Sequence, residues 1–145
     1  MTVCTYGKIN FFGELKDNRV ILNKYGLIAR REWIKTAHIR VCVQLDAFII
    51  MPDHMHGILN IHHDNCLHSA AGATRRVAPS MLAPSSLGSI IGQYKSVVTK
   101  QIRKMGKTDF KWQRNYYDRV IWNEMELYTI RRYIFNNPIK NHNTK

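Results

Sequence analysis

The stretch FIIMPDHMHGILNI (48–61) constrains this chain more than any other. Two apolar segments, VCVQLDAFII (41–50) and HGILNI (56–61), are rich in the β-branched and aromatic residues that pack on a pleated surface. Met51-Pro52-Asp53 separates them, and proline has no N–H to give to a ladder, so Pro52 marks a strand start or an edge, with a bulge or turn between two extended runs. Within the second run stands His54-Met55-His56. Side chains at i and i+2 of a strand project to one face, so the two imidazoles point together and could share one metal ion, while Met55 turns into the core. The same spacing also fits a pair of half-exposed histidines on a solvent-facing strand.

Around this centre the pattern alternates between strand and helix. Residues 3–13 and 17–22 are β-branched and aromatic with partial alternation, and Gly13 to Asn18 supplies turn residues, which predicts a strand or hairpin. Asn23 is placed to cap a helix over about 23–38, with Leu27, Ile28, Ile34 and His38 as its spaced face. Ser86 or Ser89 opens a second helix over 87–106, whose Ile90, Ile91, Tyr94, Val97, Val98 and Ile102 keep helical spacing up to Gly106. A strand is expected at about 116–121. A third helix begins at Asn123, with Glu126 at the capping-box position, and is expected to stop at about 137 before Pro138. Residues 62–86, rich in Ala, Ser, Gly and Pro without periodicity, read as a long flexible loop. The order implies one α+β domain over 1–145, a ferredoxin-like or RRM-like antiparallel sheet with helices packed on one face.

Charge narrows the partners. Lys and Arg number 22 against 10 Asp and Glu, a formal net charge of +12, and such a field attracts polyanions, of which nucleic acid is the commonest. No window approaches the ~18 uninterrupted apolar residues of a membrane span, and no lipidation motif is present, so a cytoplasmic protein is expected. Three cysteines at wide spacing, Cys4, Cys42 and Cys66, suggest neither a disulfide framework nor a zinc knuckle, which fits a reducing compartment. His62, His63, Cys66 and His68 leave open a separate zinc site in the loop.

A two-histidine site needs a third ligand and something to activate. Tyr133 and Asn137 lie at i and i+4, on one helical face, and could supply a phenol nucleophile and an amide oxygen for a hard ion such as Mg²⁺ or Mn²⁺. The competing assignment makes Tyr133 a core aromatic and Asn137 the helix stop. Trp112, Gln113, Arg114, Tyr116 and Tyr117 interleave aromatic rings with polar and basic groups, a pattern that suits single-stranded nucleic acid and equally a core strand with a basic edge. Lys95 and Arg119 are further candidates for phosphate contact. Tyr128, on a different helical face from Tyr133, is expected to pack.

Four separated motifs in order, FIIMPDHMHGILNI, LGSIIGQYKSVVTKQIRK, WQRNYYDRVIWNE and RRYIFNNPIKN, resemble the single-tyrosine HUH transposases, and most closely the REP-associated tyrosine transposases. The resemblance covers about 45–141. It implies a metal-dependent endonuclease and strand transferase acting on single-stranded DNA with hairpin-containing ends, as a monomer or homodimer. His54 and His56 would then be the metal-binding histidines, Asn137 the third ligand and Tyr133 the nucleophile, with Mg²⁺ or Mn²⁺ as cofactor and a 5′-phosphotyrosine as intermediate. Lys95, Arg114, Tyr116, Tyr117 and Arg119 would contact the DNA. Asp53 stands where many relatives carry asparagine or glutamate, and could orient a metal ligand. The alternative on the same fold is a non-catalytic DNA-hairpin-binding domain. A small RNA-binding module is a third reading, but the aromatic signature of such sheets is missing.

Overall fold

The computed structural model describes residues 1–62 and 86–140, with side chains as far as 138. The elements are β1 (Thr2–Cys4), β2 (Gly13–Lys16), β3 (Arg19–Leu22), α1 (Lys24–Ile39), β4 (Val43–Ile50), β5 (His54–Ile61), α2 (Leu87–Lys104) and α3 (Glu124–Lys140). The expected loop at 62–86 and the zinc site of His63, Cys66 and His68 lie, but for their outermost residues, outside the described residues.

Strands β4 and β5 form an antiparallel hairpin, and β1 pairs antiparallel with the far side of β5, giving the order β1-β5-β4. The turn at Met51-Pro52-Asp53 is closed by the Met51 N–H donating to the His54 carbonyl at 2.7 Å, so the N–H that Pro52 lacks is never needed. On β4 the register slips between Leu45, opposite Leu59, and Phe48, opposite Gly57. Two residues, Asp46 and Ala47, therefore face the single Ile58, which is a bulge. A separate hairpin joins β2 to β3 through Asp17 and Asn18, both at positive φ (52° and 58°), the left-handed pair that a two-residue turn demands.

The sheet has one heavily covered face. Met55 and Leu59 of β5, with Ile50 and Phe48 of β4, meet Ile28 and Trp33 of α1 and Ile91, Tyr94 and Val98 of α2. Gly57 lies under Trp33, where a Cβ would stand 3.0 Å from the indole Cζ2. Asn23 caps α1 as expected, its side-chain oxygen accepting from the N–H groups of Tyr25 and Gly26. The buried side of α1 is nevertheless Gly26, Ile28, Ala29, Glu32, Trp33 and Thr36, while Leu27 and Ile34 are exposed. The large apolar residues mislead here because the helix approaches on a small one: a Cβ at Gly26 would fall 2.2 Å from the Phe12 carbonyl oxygen.

The antiparallel α+β class is as expected. Helices α1 and α2 share one face, and α3 crosses the other, where Ile134 packs with Ala47 and Ile58. Residues 116–121 are not a strand. That segment's backbone meets the sheet at an isolated bridge of Tyr117 with Thr2, and Ile121 packs beside Ala47 and Ile58; a second bridge, of Trp112 with Thr5, lies upstream of it. Just upstream, the carbonyls of 113–115 accept from the Lys95 ammonium, and Trp112 packs as a core aromatic against Phe12, Tyr94 and Phe110. Helix α3 also runs through Pro138 to Lys140. Proline forfeits one hydrogen bond, but its fixed φ is helical, so a final turn can follow. No helix among the described residues is long and apolar enough to cross a membrane.

Candidate active site

The even-numbered residues of β5 face α3. His54 and His56 project from the same side of the strand, with Nε2 atoms 3.1 Å apart and rings edge to face at 4.7 Å between centroids. Each ring is held from behind. Asp53 Oδ1 lies 2.5 Å from His54 Nδ1, and Thr2 Oγ1, delivered by β1, lies 2.7 Å from His56 Nδ1. A carboxylate only accepts, so Nδ1 of His54 carries a proton, and its Nε2 faces that of His56. The Thr2 hydroxyl can donate or accept and so suits either tautomer of His56.

Electrostatics favour a neutral, electron-donating His56. Burial, aided by the nearby charges of His54 and the amino terminus and opposed by Asp53, lowers the His56 imidazole to about 4, so it is uncharged at neutral pH. Burial pushes the Asp53 carboxyl up, but the hydrogen bond and charge of His54, with help from Lys8, outweigh it and hold the acid below its ordinary value. Two Nε2 atoms converging at 3.1 Å repel unless a proton or a cation lies between them. The donor set therefore fits a divalent metal ion.

Helix α3 completes the pocket wall. The Tyr133 ring meets His56 edge to face, 5.3 Å between centroids, and is 44% exposed, which leaves the phenol within reach of a substrate. One turn later Asn137 is buried, 3% exposed, on the helix side that also carries Ile134. Among the described residues no three His, Cys, Asp or Glu side chains gather as a metal cluster. The helix is pinned by Arg131, which forks onto Asp46 of the β4 bulge through Nε–Oδ1 (2.9 Å) and Nη2–Oδ2 (2.6 Å). Neither Asp46 nor Arg131 was singled out from sequence. A bulge at Asp46-Ala47 leaves no signature in a run that reads as continuous strand.

The remaining candidates surround this centre unevenly. Tyr117 is 64% exposed and its backbone exchanges hydrogen bonds with Thr2, the residue behind His56. Tyr116 is partly buried against the main core. Arg114 is exposed, and Arg119 is exposed but ion-paired with Glu126 of α3. Lys95 is committed to the carbonyls of Gln113, Arg114 and Asn115, at 2.7 to 3.3 Å. Tyr128, expected to pack, is exposed, with the Arg132 guanidinium over its ring.

Comparison with known proteins adds two findings. An uncharacterized protein of Haemophilus influenzae is 34% identical over 143 residues, covering 96% of this chain and 78% of that protein. The chain belongs to that protein's family. No family model matches it. Among solved structures, the chain is similar to the REP-associated tyrosine transposase bound to a REP hairpin, with a TM-score of 0.61 and 20% identity. That match covers 97% of this chain, which spans 65% of the length of the transposase. The likeness is one of fold.

Proposed function

We propose that this protein is a metal-dependent single-stranded DNA endonuclease and strand transferase with Tyr133 as its nucleophile. The observation that carries the proposal is the edge-to-face contact of Tyr133 with His56, beside two imidazole Nε2 atoms converging at 3.1 Å. The fold shared with a transposase bound to a REP hairpin supports DNA, with a hairpin next to the cut, as the substrate.

In this reading His54, His56 and the amide of Asn137 hold Mg²⁺ or Mn²⁺, which when bound would neutralise a non-bridging oxygen of the scissile phosphate. The chain's own residues do the rest. Asp53 and Thr2 fix the two rings so that their Nε2 atoms face one point. The Arg131–Asp46 fork holds α3 on the sheet and with it the phenol two residues on. Tyr133 Oη forms a bond to phosphorus while the bond to the 3′ oxygen breaks, leaving a 5′-phosphotyrosine and a 3′-hydroxyl. Because the new link is again a phosphodiester, a different 3′-hydroxyl can reverse the step, which is strand transfer. Tyr116, Tyr117, Arg114 and Arg119 offer stacking surfaces and charge to the strand beside the site. Lys95 acts through the 113–115 segment that it supports.

Incubation with a hairpin-flanked single strand and Mn²⁺ is expected to give a covalent protein–DNA adduct, retarded on a denaturing gel, and Tyr133→Phe to give none. Persistence of the adduct in that variant would remove Tyr133 from the reaction. The second reading, a DNA-hairpin-binding domain without turnover, draws on the lack of a third acidic or imidazole ligand among the described residues. Its signature is tight hairpin binding with no adduct at any metal concentration.

A further inference from the structure

Away from the histidines, a groove runs along the outer side of α2, where the helix passes the 110–115 segment. It is an open depression of about 560 Å³, lined by Lys95, Ser96, Thr99, Lys100 and Arg103 of that helix. Three cations and two hydroxyls line it, with no carboxylate and no aromatic ring. Its floor is fixed. Lys95 grips the carbonyls of 113–115, Arg103 donates through Nε and Nη2 to the Phe110 carbonyl, and Thr99 donates to the Lys95 carbonyl. Ser96 and Lys100 remain exposed on the rim, and so does Arg103, which has further N–H groups to donate.

We propose that this groove binds the sugar–phosphate backbone of a DNA duplex, the stem adjoining the single strand that is cut. The inference rests on the reading of the protein as a DNA-processing enzyme, and it assigns the stem to a surface separate from the histidines. Chemistry selects the partner. Hydroxyls and cations contact phosphate oxygens without reading sequence. A groove for an unpaired strand would need rings on which bases stack, and the exposed ring nearby, Tyr117, lies outside this groove beside Thr2. Spacing agrees. Ser96, Lys100 and Arg103 stand at i, i+4 and i+7, about 10 Å along the helix axis, or roughly three steps along one strand of a duplex. The groove also leads toward the site: the segment that Lys95 supports continues to Tyr117, whose backbone is bonded to Thr2, the partner of His56.

The test compares two DNA probes, a hairpin with a single-stranded flank and an unstructured strand of equal length, by fluorescence anisotropy over a range of salt. Ser96→Glu with Lys100→Glu is the main variant, and Lys100→Ala is a milder second one. Both positions are exposed, so thermal melts should match the wild type. The charge-reversed variant is expected to bind the hairpin at least ~10-fold more weakly and to lower the slope of log affinity against log salt by about 1, with less than ~2-fold change for the unstructured strand. Lys100→Ala should show a smaller loss in the same direction. Unchanged hairpin affinity in both variants overturns the assignment. Equal loss on both probes overturns it too, in favour of a single-strand track. If the wild type forms no adduct but the variants still lose hairpin affinity selectively, the catalytic reading falls and the groove stands; if the wild type binds no DNA, both fall.

Discussion

Strand β5 has two faces built from alternate residues, and they are covered in different ways. Met55, Gly57 and Leu59 look toward α1 and α2, into a continuous core that holds Trp33, Tyr94, Val98 and Phe110. His54, His56 and Ile58 look toward a single helix, and only Ile58 of the three is buried, in a small cluster with Ala47 and Ile134. One face holds the continuous core and the other holds the paired imidazoles. The division is possible because a strand's period of two separates neighbours in sequence by the thickness of the sheet. Polar rings that would be costly in the core can thus stand one residue from its most buried side chains.

Substitutions should respect that division. The largest effect is expected from Trp33→Ala, which empties the centre of the core face and should cost ~3–5 kcal/mol in chemical denaturation. Gly57→Ala comes next. The new methyl meets the indole of Trp33 and should cost about 1–3 kcal/mol by overpacking, although it lies directly after His56. On the other face, His56→Ala loses one hydrogen bond to Thr2 and should cost no more than about 1 kcal/mol without metal. The same variant should abolish any rise in melting temperature that Mn²⁺ gives the wild type. A loss of several kcal/mol on this face would break the comparison, because the histidines would then be structural.

The smallest effect is one of pH. The hydrogen bond from Arg131, opposed by partial burial and aided by the Ala47 N–H, lowers the Asp46 carboxyl below 3.8. A depressed acid contributes stability above its unfolded value and loses that contribution as pH falls through the folded one. The wild type should therefore show an acid-side decline in melting temperature, below about pH 4, that is shallower in Asp46→Asn. Identical declines in the two proteins would mean that the fork does not hold α3.

Much of this was legible in the sequence, for physical reasons that differ by element. The β4–β5 pair, the Asn23 cap and the periodic face of α2 follow from local patterning, which the structure keeps. The pairing of His54 with His56 follows from the strand period alone. The segment at 116–121 was misread because β-branched and aromatic residues describe a fit to pleated surfaces, and here the backbone meets the sheet at the isolated bridge of Tyr117 with Thr2 and forms no ladder. On α1, Gly26 and Ala29 mark the contact, and small residues carry little hydrophobic signal. Thr2 and Asp46 were missed because each acts across 54 or 85 positions of chain, on His56 and Arg131 respectively, and no local window spans such distances.

The bulge in β4 gives that strand a parity. Leu45 and Phe48 both enter the core although three positions separate them, and the two residues between them serve the opposite side, Asp46 holding Arg131 and Ala47 seating Ile134. Deleting either one leaves a ladder that pairs more regularly but has room for only one residue opposite Ile58, so the anchor or the seat of α3 must go. Codon-length deletions at 46–47 should thus behave unlike substitutions there: the sheet would close cleanly while the helix bearing Tyr133 lost its mooring. A family that keeps α3 docked on this sheet has reason to conserve the count of residues between Leu45 and Phe48 as strictly as their identity.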